Sequence, residues 1–152
     1  MTSISSADLN RLIDERNIVA VATAYTWALD QRQWDDLSDV FASDATATLG
    51  SSDVLVGADA IIGRIRAALS PLDDSQHLIG NHDISVNGET ATHRCYLHAQ
   101  HIRRDATGGP HYIVAGRYED ELARTADGWR ITHRNLAVMW EEGNRRVVRP
   151  GK

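Results

Sequence analysis

ETATHRCYLHAQHI, residues 89–102, has an alternation that suits a strand and not a helix. Successive side chains of a strand point to opposite faces. His93, Cys95, Leu97, Ala99 and His101 therefore share one side, and Arg94, Tyr96, His98 and Gln100 share the other. The first set is small and apolar between two histidines, so it is expected to point inward. Three neighbouring segments read alike: HLIGNHDISV (77–86), HYIVAGRYEDELAR (111–124) and GWRITHRNLAVMW (128–140). Asn87-Gly88, DATGGP (105–110) and TADG (125–128) separate them, and each has the composition of a tight turn. The spacing predicts four long strands in an antiparallel meander.

Upstream the period changes to that of helices. Ser5 or Ser6 caps a first helix, with Asp8 in its first turn where the dipole favours a carboxylate. Leu9, Leu12, Ile13, Val19, Ala20, Thr23 and Trp27 follow the helical repeat to about Asp30. QRQWDDLSDVFASDA (31–45) reads as a short second helix with Trp34, Leu37, Val40 and Phe41 on one face. ATATLG (45–50) and DVLVG (53–57) flank Ser51-Ser52 as a small hairpin. GADAIIGRIRAALSP (57–71) is a third helix stopped by Pro71. Helices followed by a meander indicate an α+β fold. A long twisted sheet curls, and helices over its concave face leave a cone-shaped α+β barrel enclosing a pocket.

The bulk properties fit one ordinary domain over residues 1–152, with a core at about 9–140 and a tail at 141–152. Of the 152 residues, 42% are hydrophobic and 24% charged, enough to bury a core unaided. Cys95 is the only cysteine, so no internal disulfide forms and no oxidising compartment is needed. The polar N-terminus is not a signal peptide, and no apolar run is long enough to span a bilayer. A cytoplasmic location and no membrane partner are expected. A net charge of −5 argues against a nucleic-acid partner. The basic NRRVVRPGK (144–152) is expected to be a solvated tail.

The remaining strand faces describe what the pocket would see. Tyr112, Val114, Gly116, Tyr118, Asp120 and Leu122 share a face of the third long strand. Trp129, Ile131, His133, Asn135 and Ala137 share a face of the fourth, which puts Arg134 opposite Asn135. Apolar rows carrying a few polar groups suit a small-molecule pocket. Leu97, Ala99, Tyr118 and Asn135 are the expected substrate-binding residues. Asp30 ends the first helix, where the dipole disfavours a carboxylate, so it calls for a donor or a cation. A histidine is the natural partner, because a carboxylate fixes its tautomer and stabilises the imidazolium. The seven histidines show no HExxH or paired-cysteine spacing, and no metal is expected. No glycine-rich phosphate loop is present, and Cys95 reads as an inert core thiol.

YTWALDQRQWDDLSDVFASDA (25–45), DSQHLIGNHDI (74–84) and GRYEDELARTADGWRI (116–131) resemble the SnoaL-like branch of the nuclear transport factor 2-like superfamily. Scytalone dehydratase, hexachlorocyclohexane dehydrochlorinase and bile-acid dehydratase are members. The resemblance covers about Leu9 to Trp140. It implies that Asp30 and His77 stand where these enzymes keep an Asp–His dyad, with His77 as base. Tyr25 matches a tyrosine of the bile-acid enzyme, and His101 a second histidine of scytalone dehydratase. Two departures show that no relative's substrate carries over. Leu29 stands where scytalone dehydratase has tyrosine, and His101 lies near an aspartate of the bile-acid enzyme.

The resulting expectation is a cofactor-independent lyase or isomerase, dehydratase-like, acting on a small, largely apolar molecule. Asp30, His77, Tyr25 and His101 are the catalytic candidates, with Tyr25 or His101 polarising a carbonyl or donating to a leaving hydroxyl. The alternative is a non-catalytic ligand-binding protein or partner subunit of the same fold, such as a ring-hydroxylating dioxygenase small subunit. A void beside an Asp30–His77 contact separates the two. Homo-oligomerisation as a trimer or dimer is expected through the outer sheet face, with Arg94, Tyr96, Arg117 and LAVMWEE (136–142).

Overall fold

The computed structural model describes residues 3–50 and 53–149. Helix α1 (Ser6–Gln31) leads into a 3-10 helix (Trp34–Asp39), strand β1 (Phe41–Leu49), strand β2 (Leu55–Val56) and helix α2 (Ala58–Leu69). Strands β3 (Asp74–Asn87), β4 (Thr90–Ile102), β5 (His111–Thr125) and β6 (Gly128–Gly143) follow, and a 3-10 turn (Arg145–Val147) closes the described chain. The architecture is the curved α+β barrel of the nuclear transport factor 2-like type. The six strands lie in the order β2-β1-β6-β5-β4-β3. The expected meander is antiparallel throughout, but β1 returns beside β6 in parallel, so the sheet as a whole is mixed.

Of the expectations for the chain upstream of the meander, two need correction and the hairpin stands. The second helix stops at Asp39, and Phe41 begins a strand, because Val40 O accepts a sheet bond from Ile131 N at 2.9 Å. The hairpin of β1 and β2 forms, with Thr46 opposite Val56, but its Ser51-Ser52 turn lies outside the described residues. The buried face of α1 runs through Asp14, Ile18, Ala22, Tyr25 and Leu29 instead of Leu9, Leu12, Ile13 and Trp27. Trp27 is 60% exposed. The helix carries apolar residues on both sides, and Asp14 is paid no attention by a hydrophobic pattern. Its carboxylate nonetheless belongs inside, where the Trp129 indole (3.1 Å) and the Arg124 guanidinium (both contacts 2.8 Å) donate to it.

Along β4 the expected faces hold: His93, Cys95, Leu97, Ala99 and His101 are buried, and Arg94, Tyr96 and His98 are exposed. The β4–β5 ladder runs without interruption from Thr90–Ala123 to Ile102–His111. On β6 the alternation breaks. Glu121 pairs with His133 and Leu122 with Ile131, which leaves Thr132 unopposed. Such a bulge shifts the phase by one residue. Trp129 and Ile131 point inward before it, and Arg134 and Leu136 after it. A second irregularity falls where Ala115 pairs with Trp140 and Gly116 with Val138. Gly116 is required there, since a Cβ would sit 2.5 Å from Ala137 O.

The C-terminal segment is not a free tail through its described part. Gly143 ends β6, Val147 is fully buried, and Arg145 turns back to Glu141 at 2.6 Å.

Candidate active site

The end of α1 sets the site. Arg32 takes a left-handed conformation (φ 60°) and stops the helix, and its guanidinium returns to Leu29 O at 2.8 Å and reaches Ser75 Oγ at 2.9 Å. One residue inside the helix end, Asp30 faces the start of β3. Its Oδ1 accepts from Ser75 Oγ (3.0 Å) and from His77 Nδ1 (2.6 Å), and its Oδ2 accepts from the His77 backbone N–H (2.8 Å). Burial acts to raise the Asp30 pKa, but the His77 side chain, the His77 backbone N–H and Ser75 outweigh it and hold the carboxyl below its ordinary value. The dipole problem posed by an acid at a helix C-terminus is thus met by donors from the sheet.

A carboxylate only accepts, so His77 Nδ1 carries a proton, and in the neutral ring Nε2 is the nitrogen with a free lone pair. His101 lies next to it, with ring centroids 5.3 Å apart and planes at 83°. His101 Nδ1 faces Tyr112 O at 3.2 Å, which assigns it the proton by the same logic. Burial, then the neighbouring His77 charge, lower the His101 pKa to about 4. At neutral pH His101 therefore offers Nε2 as an acceptor.

Both rings line a cavity of about 200 Å³ beneath α1 and α2. Leu29, Leu69, Leu97, Ala99, Val114 and Leu136 supply apolar wall, and Tyr25, Tyr112 and Tyr118 supply phenols. Arg64, Glu141 and Arg145 stand among the lining residues, with Glu141 also accepting from the Tyr112 hydroxyl at 2.8 Å. Tyr25 meets Tyr118 edge to face at 5.6 Å and Phe41 at 5.9 Å. Burial raises the pKa of Tyr25 and, more strongly, of Tyr118, so both remain protonated donors.

Beneath the tyrosines lies a group the sequence did not place. Arg134 is fully buried, with its guanidinium carbon 4.2 Å from the Tyr25 ring centre and 4.1 Å from that of Tyr118. It binds Asp120 through two hydrogen bonds of 2.7 and 2.8 Å, while its Nη1 has no partner among the described residues. Burial opposes both charges, yet the pairing lowers the Asp120 pKa and raises that of Arg134. The Thr132 bulge accounts for the difference from expectation. It turns Arg134 inward and puts Asn135 on the outer face, where its amide donates to Glu119 at 2.9 Å. His133, also expected inward, instead meets Thr46 Oγ1 at 2.7 Å.

Asp30, His77, Tyr25, His101, Tyr118, Leu97 and Ala99 are thus gathered in one place, and Asn135 is not among them. Ser75 was legible in principle, since it lies two residues before His77 on the same strand face. Nothing in the sequence pattern marks the bulge that buries Arg134. Cys95 is buried, and desolvation pushes its thiol up to about 11, which suits a core residue and not a nucleophile.

A model of the SnoaL-like domain matches residues 10–135. Rv2910c of Mycobacterium tuberculosis, a protein without characterised activity, is 30% identical over 135 residues, covering 86% of this chain and 88% of its own. Among solved structures, a proposed scytalone dehydratase from Novosphingobium aromaticivorans superposes with a TM-score of 0.81 at 20% identity, covering 89% of this chain and 90% of that one. A type 2 hexachlorocyclohexane dehydrochlorinase gives 0.80 at 18% identity, covering 90% and 93%. These two likenesses are of fold.

Proposed function

Since the chain belongs to the SnoaL-like domain family, we propose that it is a cofactor-independent lyase of dehydratase type, or an isomerase, acting on a small, largely apolar molecule. The observation that carries this reading is the 2.6 Å contact of Asp30 and His77 at the wall of an apolar cavity. A ring whose Nδ1 is bound by a carboxylate and whose Nε2 is free is a general base. His77 Nε2 takes a proton from a carbon next to an electron-withdrawing group. Asp30 stabilises the imidazolium that forms. The Tyr25 hydroxyl donates to the oxygen on which negative charge builds, beside the Arg134 guanidinium. His101 Nε2 accepts from a substrate hydroxyl.

In a dehydration the C–H electron pair becomes the new C=C bond as the C–O bond breaks. The departing hydroxide takes the proton from the His77 imidazolium, which restores the base and releases water. Isomerisation uses the same first step and returns the proton to another carbon. General base catalysis of this kind contributes ~10²–10⁴-fold.

The reading includes a homo-oligomer. Leu78, His98, Ala115 and Trp140 stand in register across four strands on the outer face, and His98 meets Trp140 edge to face at 5.7 Å. Ala115 is itself buried, and the exposed Leu78, Tyr96, Met139 and Trp140 offer an apolar patch suited to a second copy. No helix among the described residues is long and apolar enough to cross a membrane, and a cytoplasmic location fits a chain with one buried thiol.

The test is to identify small molecules that co-purify with the protein by mass spectrometry. Their chemical class is then incubated with wild type and His77→Gln in deuterated water. Turnover or exchange at an activated C–H, lost in the variant, supports the proposal. Equal ligand binding by both proteins, with no exchange in either, favours the non-catalytic binding module.

A further inference from the structure

We propose that His82, His93 and Cys95 form a binding site for a thiophilic metal ion of the zinc class, separate from the cavity that holds Asp30 and His77. The three residues offer a ring nitrogen each from the histidines and Sγ from the cysteine, all within 4.8 Å of one another. His82 Nδ1 and His93 Nε2 face each other at 3.0 Å. The ring planes differ by only 19° while the centroids are 5.3 Å apart. That separation places the rings end to end, so each facing nitrogen points at the other across a gap that the cysteine borders.

Two features of the backbone bring the set together. His93 and Cys95 are two residues apart on the inward face of β4. His82 comes from the irregularity between Gly80 and Asp83 on β3, where Asn81 takes φ 59°. Without the extra residues of that bulge, β3 would have only Ile84 opposite His93. The histidine is also supported from behind. Asp120 Oδ2 accepts from His93 Nδ1 at 3.0 Å, and Arg134 anchors the same carboxylate. A carboxylate behind a histidine fixes its tautomer and makes the other nitrogen a better ligand, as around metal-binding histidines generally.

With its Nδ1–H given to Asp120, His93 has a bare Nε2. In the metal-free chain His82 must donate its own Nδ1–H to it. An ion takes the place of that proton: His82 carries its single proton on the other nitrogen, and Cys95 exchanges its thiol proton for the ion. Tetrahedral zinc sits about 2.0–2.1 Å from each nitrogen and about 2.3 Å from sulfur, which asks the nitrogens to part to roughly 3.3 Å. His82 stands on the edge strand and is solvent-accessible, so it can both draw back and turn its ring out of line with His93, as a tetrahedral ion requires. Two imidazoles and a thiolate select a borderline-soft ion over magnesium or calcium. Spacing rules miss the set because its ligands come from a bulge and from alternate positions on the next strand.

The experiment uses the full chain without a histidine tag, stripped with a chelator and titrated with Co²⁺ and then Zn²⁺. One Co²⁺ per chain is expected, with the near-ultraviolet absorption of a thiolate–cobalt bond. Cys95→Ser should remove that absorption. His82→Ala should fold normally by thermal melt and weaken Zn²⁺ binding by more than the ~10–100-fold that loss of an outer hydrogen-bonding partner costs such a site. Failure to form a stoichiometric complex at equimolar cobalt would overturn the proposal. So would Co²⁺ and Zn²⁺ binding unchanged in a folded His82→Ala protein, which would place the ion elsewhere.

Discussion

Asp30 holds His77 twice, through the ring Nδ1 at 2.6 Å and through the backbone N–H at 2.8 Å. The acid therefore fixes both the ring and the strand that bears it. Asp30→Asn keeps the size but removes the charge that stabilises an imidazolium. With any accepted substrate, kcat should fall by ~10²–10⁴, as expected for impaired base catalysis, while binding of a substrate analogue changes little. His77→Gln should lose at least as much. Full activity in a folded His77→Gln protein removes the proposed base.

His101 gives the stability of the protein a distinctive pH dependence. Its pKa falls from 6.5 to about 4 on folding, chiefly through burial. The unfolded chain therefore binds more protons between these values, and the contribution of the neutral ring is complete above pH 6.5 and lost as pH falls toward about 4. A shift of this size is worth on the order of 3 kcal/mol. Thermal melts from pH 7.5 to 4 should show a shallower decline for His101→Gln than for wild type. Parallel curves would show that the ring is not held neutral in the fold.

The Arg134–Asp120 pair is a large single liability. Asp120→Ala leaves a fully buried guanidinium without its counter-charge, and breaking such a pair from one side costs about 3–5 kcal/mol. Chemical denaturation should show this loss. A loss under about 1 kcal/mol would mean that water reaches Arg134 and that the pair is less dry than its burial indicates.

Asn135→Ala and Leu97→Trp test the corrected pocket. Asn135 faces outward, and its replacement should leave ligand affinity unchanged. Leu97 is wall, and an indole there would fill much of a 200 Å³ cavity and abolish binding. Calorimetry with a co-purified ligand checks both. Weakened binding in Asn135→Ala would return that residue to the site.

The apolar outer row predicts an association that a single charge disrupts. Trp140→Glu should convert the wild-type oligomer to monomer in light scattering after size exclusion, with the melt of the monomer preserved. A monomeric wild type would remove this part of the proposed function.

Much of this arrangement was legible in the chain before folding. The β4 alternation placed Leu97, Ala99 and His101 correctly because an uninterrupted ladder preserves period two. The Asp30–His77 contact was legible because a carboxylate at a helix C-terminus needs donors, and the family resemblance named the histidine. Arg134 and Asn135 were exchanged, since an added residue at Thr132 leaves no mark in hydrophobicity while inverting the positions from there to the second irregularity after Val138. The buried face of α1 was missed for a different reason. Asp14 is held inside by Trp129 and Arg124, partners distant in sequence, whereas Leu9 and Trp27 remain outside despite their composition.

The guanidinium between Tyr25 and Tyr118 has a consequence for how the cavity responds to its surroundings. With Asp120 it forms an ion pair whose positive end lies against the phenols, and the pairing favours the charged form of both members. The charge beside Tyr25 thus belongs to a pair that takes no part in proton transfer, while the proposed step at His77 adds a charge and removes it again. The two halves of the cavity are electrically distinct, one fixed and one switchable, and a molecule lying across both would have one end steadily polarised while the other end reacts.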